Sequence, residues 1–104
     1  MYAAIRRYQV DPDSVAEITR RVQNGFVPLI RQVPGFVDYY LVDAGNGTVV
    51  SLSVYADRGG EEESVRLAAE FVRQQLADLI LNPAEVMAGE VCIHEAGAMQ
   101  QDGA

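Results

Sequence analysis

Apolar and polar residues alternate in four short stretches of the chain, and apolar residues recur at steps of three and four in two longer ones. Residues 2–10 (YAAIRRYQV) predict a first strand, its alternation blurred by adjacent Arg6 and Arg7. Asp11-Pro12-Asp13-Ser14 predicts a helix start, because Pro12 suits a first turn and Ser14 with Glu17 has capping-box spacing. Val15, Ile18, Val22, Phe26, Leu29 and Val33 then form the buried stripe of an amphipathic helix. Pro28 removes a helical N–H, so a kink is expected near Asn24-Gly25 with a short continuation to Val33.

Pro34-Gly35 is a stop-and-turn signal. Residues 36–43 (FVDYYLVD) and 48–55 (TVVSLSVY) are rich in β-branched and aromatic side chains, as strands are. Asn46-Gly47 between them predicts a tight hairpin, since both residues tolerate positive φ. Residues 57–60 read as a loop, and Glu61, Glu62 and Glu63 place negative charge at a helix N-terminus, where the dipole favours it. The second stripe is Val65, Ala68, Ala69, Val72, Leu76 and Leu79, ended by Asn82-Pro83. Residues 84–95 (AEVMAGEVCIHE) predict the last strand, with a break or bulge near Gly89.

The order is βαββαβ. Right-handed crossovers then put both helices on one face of a four-stranded antiparallel sheet, an α+β ferredoxin-like fold. The second sheet face stays open and needs a ligand or another sheet. With Asn46-Gly47 as a two-residue turn, opposed positions sum to 93, so Leu41 faces Leu52, Tyr39 faces Val54, Tyr40 faces Ser53 and Asp38 faces Tyr55. A hairpin loop of three or five residues would exchange the two faces. The set with Val37, Leu41, Val50, Leu52 and Val54 is the more apolar and is assigned to the helices, along with Gly89, Val91 and Ile93. Asp38, Tyr40, Ser51, Ser53, Tyr55, Glu90, Cys92 and His94 are left for the open face. In strand one the preferred assignment puts Ile5 and Arg7 on the open face.

Composition narrows the partners. The chain has 104 residues, 49% of them hydrophobic, and a net charge of −7 from eight basic and fifteen acidic side chains. Such a balance supplies no basic face for nucleic acid or for anionic membranes. No stretch approaches the ~18 apolar residues of a membrane span. Charges within residues 1–7 oppose a signal peptide, and the lone Cys92 excludes an internal disulfide, so a cytoplasmic location is expected. One domain over residues 1–95 is expected, with a frayed small-residue tail over 96–104.

IRRY (5–8), PGF (34–36), VYADR (54–58), SVRLAAEFV (64–72) and GEVCIH (89–94) together resemble the dimeric α/β-barrel superfamily, specifically the antibiotic-biosynthesis-monooxygenase-like proteins. The resemblance spans residues 2–95. It implies a homodimer in which two open sheet faces stack into an eight-stranded barrel. Ligands of such relatives enter between sheet and helices or within the barrel. It further implies an oxygenase working without a cofactor on an aromatic or phenolic substrate, whose anion passes an electron to O₂. Haem-degrading relatives carry an Asn–Trp–His set, and this chain has no tryptophan. A non-catalytic ligand-binding or dimerisation module on the same fold is the alternative.

Several side chains could carry chemistry. Histidine is the side chain best suited to act as a general base near neutral pH, so His94, the lone histidine, is a candidate. Tyr40 and Tyr55 are the other catalytic candidates, because a phenol ring stacks on a flat ligand while its hydroxyl orients it. Asp38, Ser51, Ser53 and Glu90 form the polar part of the expected substrate site. One of Arg6 and Arg7 is expected in the pocket, pairing an anionic substrate or Asp38, and the other in solvent; the preferred parity of strand one selects Arg7 for the pocket. Glu90, Cys92 and His94 alternate, yet positions two apart on a strand are ~6.6 Å apart along it, so no metal is expected. Cys92 reads more simply as a small buried hydrophobe. Regulatory amino-acid-binding and RNA-recognition domains share the strand order. The first usually accompanies another domain, and TVVSLSVY lacks the basic-Gly-aromatic pattern of the second.

Overall fold

A computed structural model describes residues 1–97, so most of the tail expected to fray lies outside the described residues. Strand β1 (Tyr2–Gln9) leads through a 3₁₀ turn (Pro12–Ser14) into α1 (Val15–Arg21), a π-helical turn (Val22–Phe26) and α2 (Val27–Ile30). The hairpin β2 (Phe36–Gly45) and β3 (Thr48–Tyr55) follows, then α3 (Arg58–Phe71), a second π-helical turn (Val72–Leu76) and β4 (Glu85–Glu90). The strands form one antiparallel sheet in the order β2-β3-β1-β4, with both helical arms on the same face. This is the α+β ferredoxin-like arrangement expected from the element order.

The first helix is capped one turn earlier than the Ser14–Glu17 spacing suggests. Asp11 accepts a hydrogen bond from the Asp13 N–H at 2.8 Å, and Ser14 makes no side-chain cap. Glu17 instead binds Arg20 and Arg21 at 2.6 and 2.7 Å. Those two guanidinium groups hold its carboxyl down at about 2. At the second arm Asp57 is the cap, accepting from the Gly60 N–H at 2.9 Å, so the helix starts ahead of the glutamate run.

Each π turn inserts one residue into its arm, and burial follows the insertion. At about 100° per residue, Leu29 would be in phase with Ile18 in a regular helix. One extra residue puts Ile30 there instead: Ile30 is 0% exposed and Leu29 44%. In the second arm the buried positions run Ser64, Ala68, Phe71 and Leu76, with a gap of five across the turn. Ala69, expected in that stripe, is exposed. Gly25 lets the arms approach, since a Cβ there would sit 2.9 Å from the Phe71 ring.

The hairpin turns at Asn46-Gly47 as expected, and Gly45 still opposes Thr48. Beyond that pair the register shifts, because Ala44 is bulged out and opposed residues sum to 92 instead of 93. The bulge is fixed by Gly45 at φ 89° and by the Asp43 carboxylate, which accepts from the Gly45 N–H at 2.9 Å. One slipped residue exchanges the face partners. Tyr40 opposes Leu52, Leu41 opposes Ser51, Tyr39 opposes Ser53 and Asp38 opposes Val54.

The face assignment from the sequence is therefore corrected in β3 and β4, and also at Val37, which a second register shift between Phe36 and Asp38 leaves 39% exposed instead of under the helices. Val49, Ser51, Ser53 and Tyr55 are buried toward the helices, while Val50, Leu52 and Val54 lie on the outer face. Gly89 opposes Ala3 on that outer face, and the strand stops at Glu90, short of Val91, Cys92, Ile93 and His94. In β1 the alternation runs cleanly: Ala4, Arg6 and Tyr8 are buried, and Ile5 and Arg7 point the other way. The core joins Tyr8, Val10, Val49 and the helical residues Ile18, Val22, Phe26, Ile30, Ala68, Phe71 and Leu76. No helix among the described residues is long and apolar enough to cross a membrane.

Candidate functional site

A small cavity of about 20 Å³ lies between the sheet and the two helical arms. That is room for one water molecule. Ile18, Val22 and Phe26 wall it on the first arm, Ala68, Phe71, Val72 and Leu76 on the second, and Tyr8, Val10, Tyr39, Leu41, Val49 and Ser51 on the sheet. Both π turns border it at both ends, through Val22 with Phe26 and Val72 with Leu76. Phe26 contacts Tyr39 edge-on at 5.7 Å between centroids and Phe71 at 5.4 Å, so three rings meet at one side. Outside, between the first arm and the edge strand β2, runs an open groove of about 400 Å³. Val22, Tyr39 and Leu41 belong to both the groove and the cavity, and Thr19, Gln23, Arg31 and Asp38 add polar groups to the groove.

Polar groups collect at the sheet side of this space. Arg6, only 8% exposed, donates from Nε to the Tyr8 hydroxyl at 2.6 Å, and its guanidinium carbon lies 5.6 Å from the Tyr8 ring centre. Burial raises the Tyr8 phenol above its usual value, with Arg6 opposing. Burial raises Tyr39 further still; the neighbouring Tyr8 adds to the rise and the Ser51 hydroxyl opposes it. Tyr55 is 0% exposed and also raised by burial. Its hydroxyl lies by those of Ser64 and Ser53 but hydrogen-bonds to neither, and Ser64 instead donates to the Glu61 carbonyl at 2.7 Å. All three phenols therefore stay neutral near pH 7, as hydrogen-bond donors and not as bases.

The structure distributes the residues singled out from sequence over different places. Ser51 lines the cavity, and Ser53 and Tyr55 are buried on the same sheet face. Asp38 lines the groove. Tyr40 is 52% exposed on the outer face, and Arg7 stands there with Glu85 at 3.1 Å. Glu90 ends β4, and His94 is exposed beyond it. Tyr40, Tyr55 and His94 are thus not brought together. Arg6, expected in solvent, is the buried arginine, and Cys92, expected to be buried, is exposed. Among the described residues no three His, Cys, Asp or Glu side chains are grouped to hold a metal.

Sequence reasoning missed Arg6, Tyr8 and Tyr39. For the first two the signal was strand parity: with Ile5 and Arg7 outward, Arg6 and Tyr8 must point inward. Tyr39 shares parity with Leu41 and so was already on the helix-facing row; what the Asp43-Ala44-Gly45 bulge changes is its β3 neighbours, bringing Ser51 and Ser53 to that face in place of Leu52 and Val54.

The chain is similar to solved structures of low sequence identity. A protein of unknown function from Nitrosomonas europaea is 19% identical and superposes with a TM-score of 0.76, covering 93% of this chain and 94% of its own. The ActVA-Orf6 monooxygenase of Streptomyces coelicolor, solved in complex with nanaomycin D, is 19% identical with a TM-score of 0.70, covering 97% and 92%. HapK from Hahella chejuensis is 18% identical with a TM-score of 0.68, covering 94% and 99%. These likenesses show the fold. No curated protein matches the chain. The family model described as antibiotic biosynthesis monooxygenase matches residues 1–75, from β1 through α3 and into the second π turn, and the chain belongs to that family.

Proposed function

We propose that the chain is a small-molecule oxygenase acting without a bound cofactor on an aromatic or phenolic substrate held between the helical arms and the sheet. The observation that carries this is the apolar, aromatic-walled cavity floored by the neutral hydroxyls of Tyr8, Tyr39 and Ser51, which shares the walls Val22, Tyr39 and Leu41 with an open groove. The groove's volume is within the range of ligand pockets. A flat ring enters there against Tyr39, and deeper entry requires the walls at the π turn Val22–Phe26 to yield, because the cavity's volume of about 20 Å³ admits only a water.

Hydroxyl donors favour the ionised substrate, whose proton leaves to solvent. For an anthrone-type methylene, the carbanion passes one electron to O₂ and the resulting radical pair forms a C–O bond. The peroxide takes up a proton and loses water. The methylene becomes a carbonyl; one oxygen atom stays on carbon and the other leaves as water, with all four electrons supplied by the substrate.

Oxygen-electrode measurements with anthrone test this. Uptake should fall at least tenfold in Tyr39→Phe and persist in Tyr40→Phe and His94→Ala. Loss of uptake in Tyr40→Phe or His94→Ala, with Tyr39→Phe unaffected, would move the chemistry to the outer face and sink the assignment. The absence of a carboxylate or histidine from the cavity walls favours a second reading, a non-catalytic ligand-binding module. Saturable anthrone binding with no uptake would decide for it.

We also propose a cytoplasmic homodimer. Val42, Val50, Leu52, Val54 and Met87 leave an apolar outer sheet face that a second copy can cover, the pairing implied by the family resemblance. Light scattering should give twice the chain mass, and Leu52→Arg should halve it; a wild-type monomer would refute the pairing.

A further inference from the structure

The most unusual group in the molecule is Arg6. Among the described residues five of the other seven arginines form an ion pair with a carboxylate, four of those five exposed and Arg21 half-buried. Arg6 is buried and has no ion pair among the described residues. Glu61, the buried carboxylate of α3, does not pair with it. A guanidinium taken out of water without a counter-charge is a strong liability, tolerated where something else supplies the anion.

We propose that Arg6 and Tyr8 together form an anion-holding subsite at the cavity, selecting ligands that present an ionised oxygen, a phenolate or an enolate. This rests on the cavity being the ligand site and adds to it the pair of residues that would hold the ionised oxygen.

The direction of the hydrogen bonds supports the assignment. Arg6 Nε is the donor and the Tyr8 oxygen the acceptor, so the Tyr8 proton is left for another partner. Among the described residues Tyr8 donates to none. Tyr8 is a wall of the cavity, beside Ser51 and Tyr39. The floor therefore offers O–H donors, one of them polarised by a cation directly behind it. It offers no carboxylate to compete for them. Such a set suits an oxygen carrying negative charge and gains strength from exclusion of water. Arg6 itself is not among the wall residues, so it is a positioning and polarising residue acting through Tyr8.

The hydroxyanthraquinone dye alizarin is a suitable probe, because its neutral and ionised forms differ in colour and no turnover is needed. The dye is titrated with pH, free and bound to the wild type, Arg6→Met, Arg6→Lys and Tyr8→Phe. On the wild type its ionisation should move down by about one pH unit or more, a tenfold gain of the anion, as expected for a charge a few ångströms away. Arg6→Met should bind the dye with that shift lost, Tyr8→Phe should lose most of it, and Arg6→Lys should keep part. Retention by Arg6→Lys separates loss of charge from a folding defect. A shift of the same size in Arg6→Met, or none in the wild type, overturns the anion subsite while leaving the cavity as a ligand site. Failure of the wild type to bind the dye in either form removes the cavity reading and this inference with it.

Discussion

Truncating Ile30 should be far more damaging than truncating Leu29, although both are leucine-sized residues one position apart in the same turn. The reason is the π turn at Val22–Phe26. From Ile18, eleven residues at about 100° each return Leu29 to within about 20° of the buried direction in a regular helix, and Ile30 would be about 120° away. The inserted residue reverses the two. Ile30 is fully buried and Leu29 is 44% exposed. Removing a buried aliphatic side chain down to Cβ costs about 2–5 kcal/mol, from lost transfer energy and the cavity left behind. Leu29→Ala, on the surface, should cost about 1 kcal/mol or less. At roughly 5 °C per kcal/mol for a domain near 100 residues, Ile30→Ala should lower Tm by about 10–25 °C and Leu29→Ala by no more than about 5 °C. Circular dichroism melts and urea titrations read both. Equal losses, or a larger loss at Leu29, would mean that the arm is an unbroken helix. The cavity wall built from Val22 and Phe26 would then be wrong as well.

Glu17 gives a pH signature. Its carboxyl is held at about 2 against a usual 4.5, so the pairing with Arg20 and Arg21 stabilises the fold above pH 4.5 and is lost as pH falls toward 2. Glu17→Gln should melt below the wild type at pH 7 and together with it at pH 2; a constant gap across that window would refute the pairing. Gly47 lies at φ 81°, and a Cβ there would come within 2.2 Å of the Val10 carbonyl oxygen, which is backbone and cannot swing aside. Gly47→Ala should therefore destabilise by more than about 1 kcal/mol in urea unfolding, whereas a neutral result would exclude the Val10–Gly47 contact.

Strand order, the Asn46-Gly47 turn and the inward stripe through Ile18, Val22 and Phe26 were all legible in the chain, because each depends on local periodicity or on a turn residue. The sheet faces were not. Parity counted from the turn is correct only while no residue is bulged, and Ala44 is. Asp43 and Gly45 carry a recognisable signal for that bulge: an Asx side chain two residues before a glycine beside an Asn-Gly turn. The π turn at Val22–Phe26 falls where Pro28 made a kink expected, near Asn24-Gly25, but neither π turn carries a mark that identifies an inserted residue. Steps of three and four remain consistent with a stripe through either Leu29 or Ile30, and only the register of the whole arm against the sheet separates them.

The rule that the more apolar row of a strand faces the helices also failed, and the failure bears on the site. In β3 Ser51 and Ser53 point in, with Val49 and Tyr55, and Val50, Leu52 and Val54 point out. A helix-covered face normally wants the larger apolar side chains, since they fill volume and bury more surface. Ser51 and Ser53 do neither. Their hydroxyls lie instead beside phenols, Ser51 by Tyr39 and Ser53 by Tyr55, on the face that also carries the Arg6–Tyr8 pair. Holding such groups under helices costs stability, and a purely structural core would use aliphatic residues there. The outer row, apolar and half-buried, is what a sheet needs if its second cover is another protein surface. Both departures from the simple rule follow if the inner face serves a ligand and the outer face serves association. A chain evolved only to be a stable monomer would have the two rows exchanged.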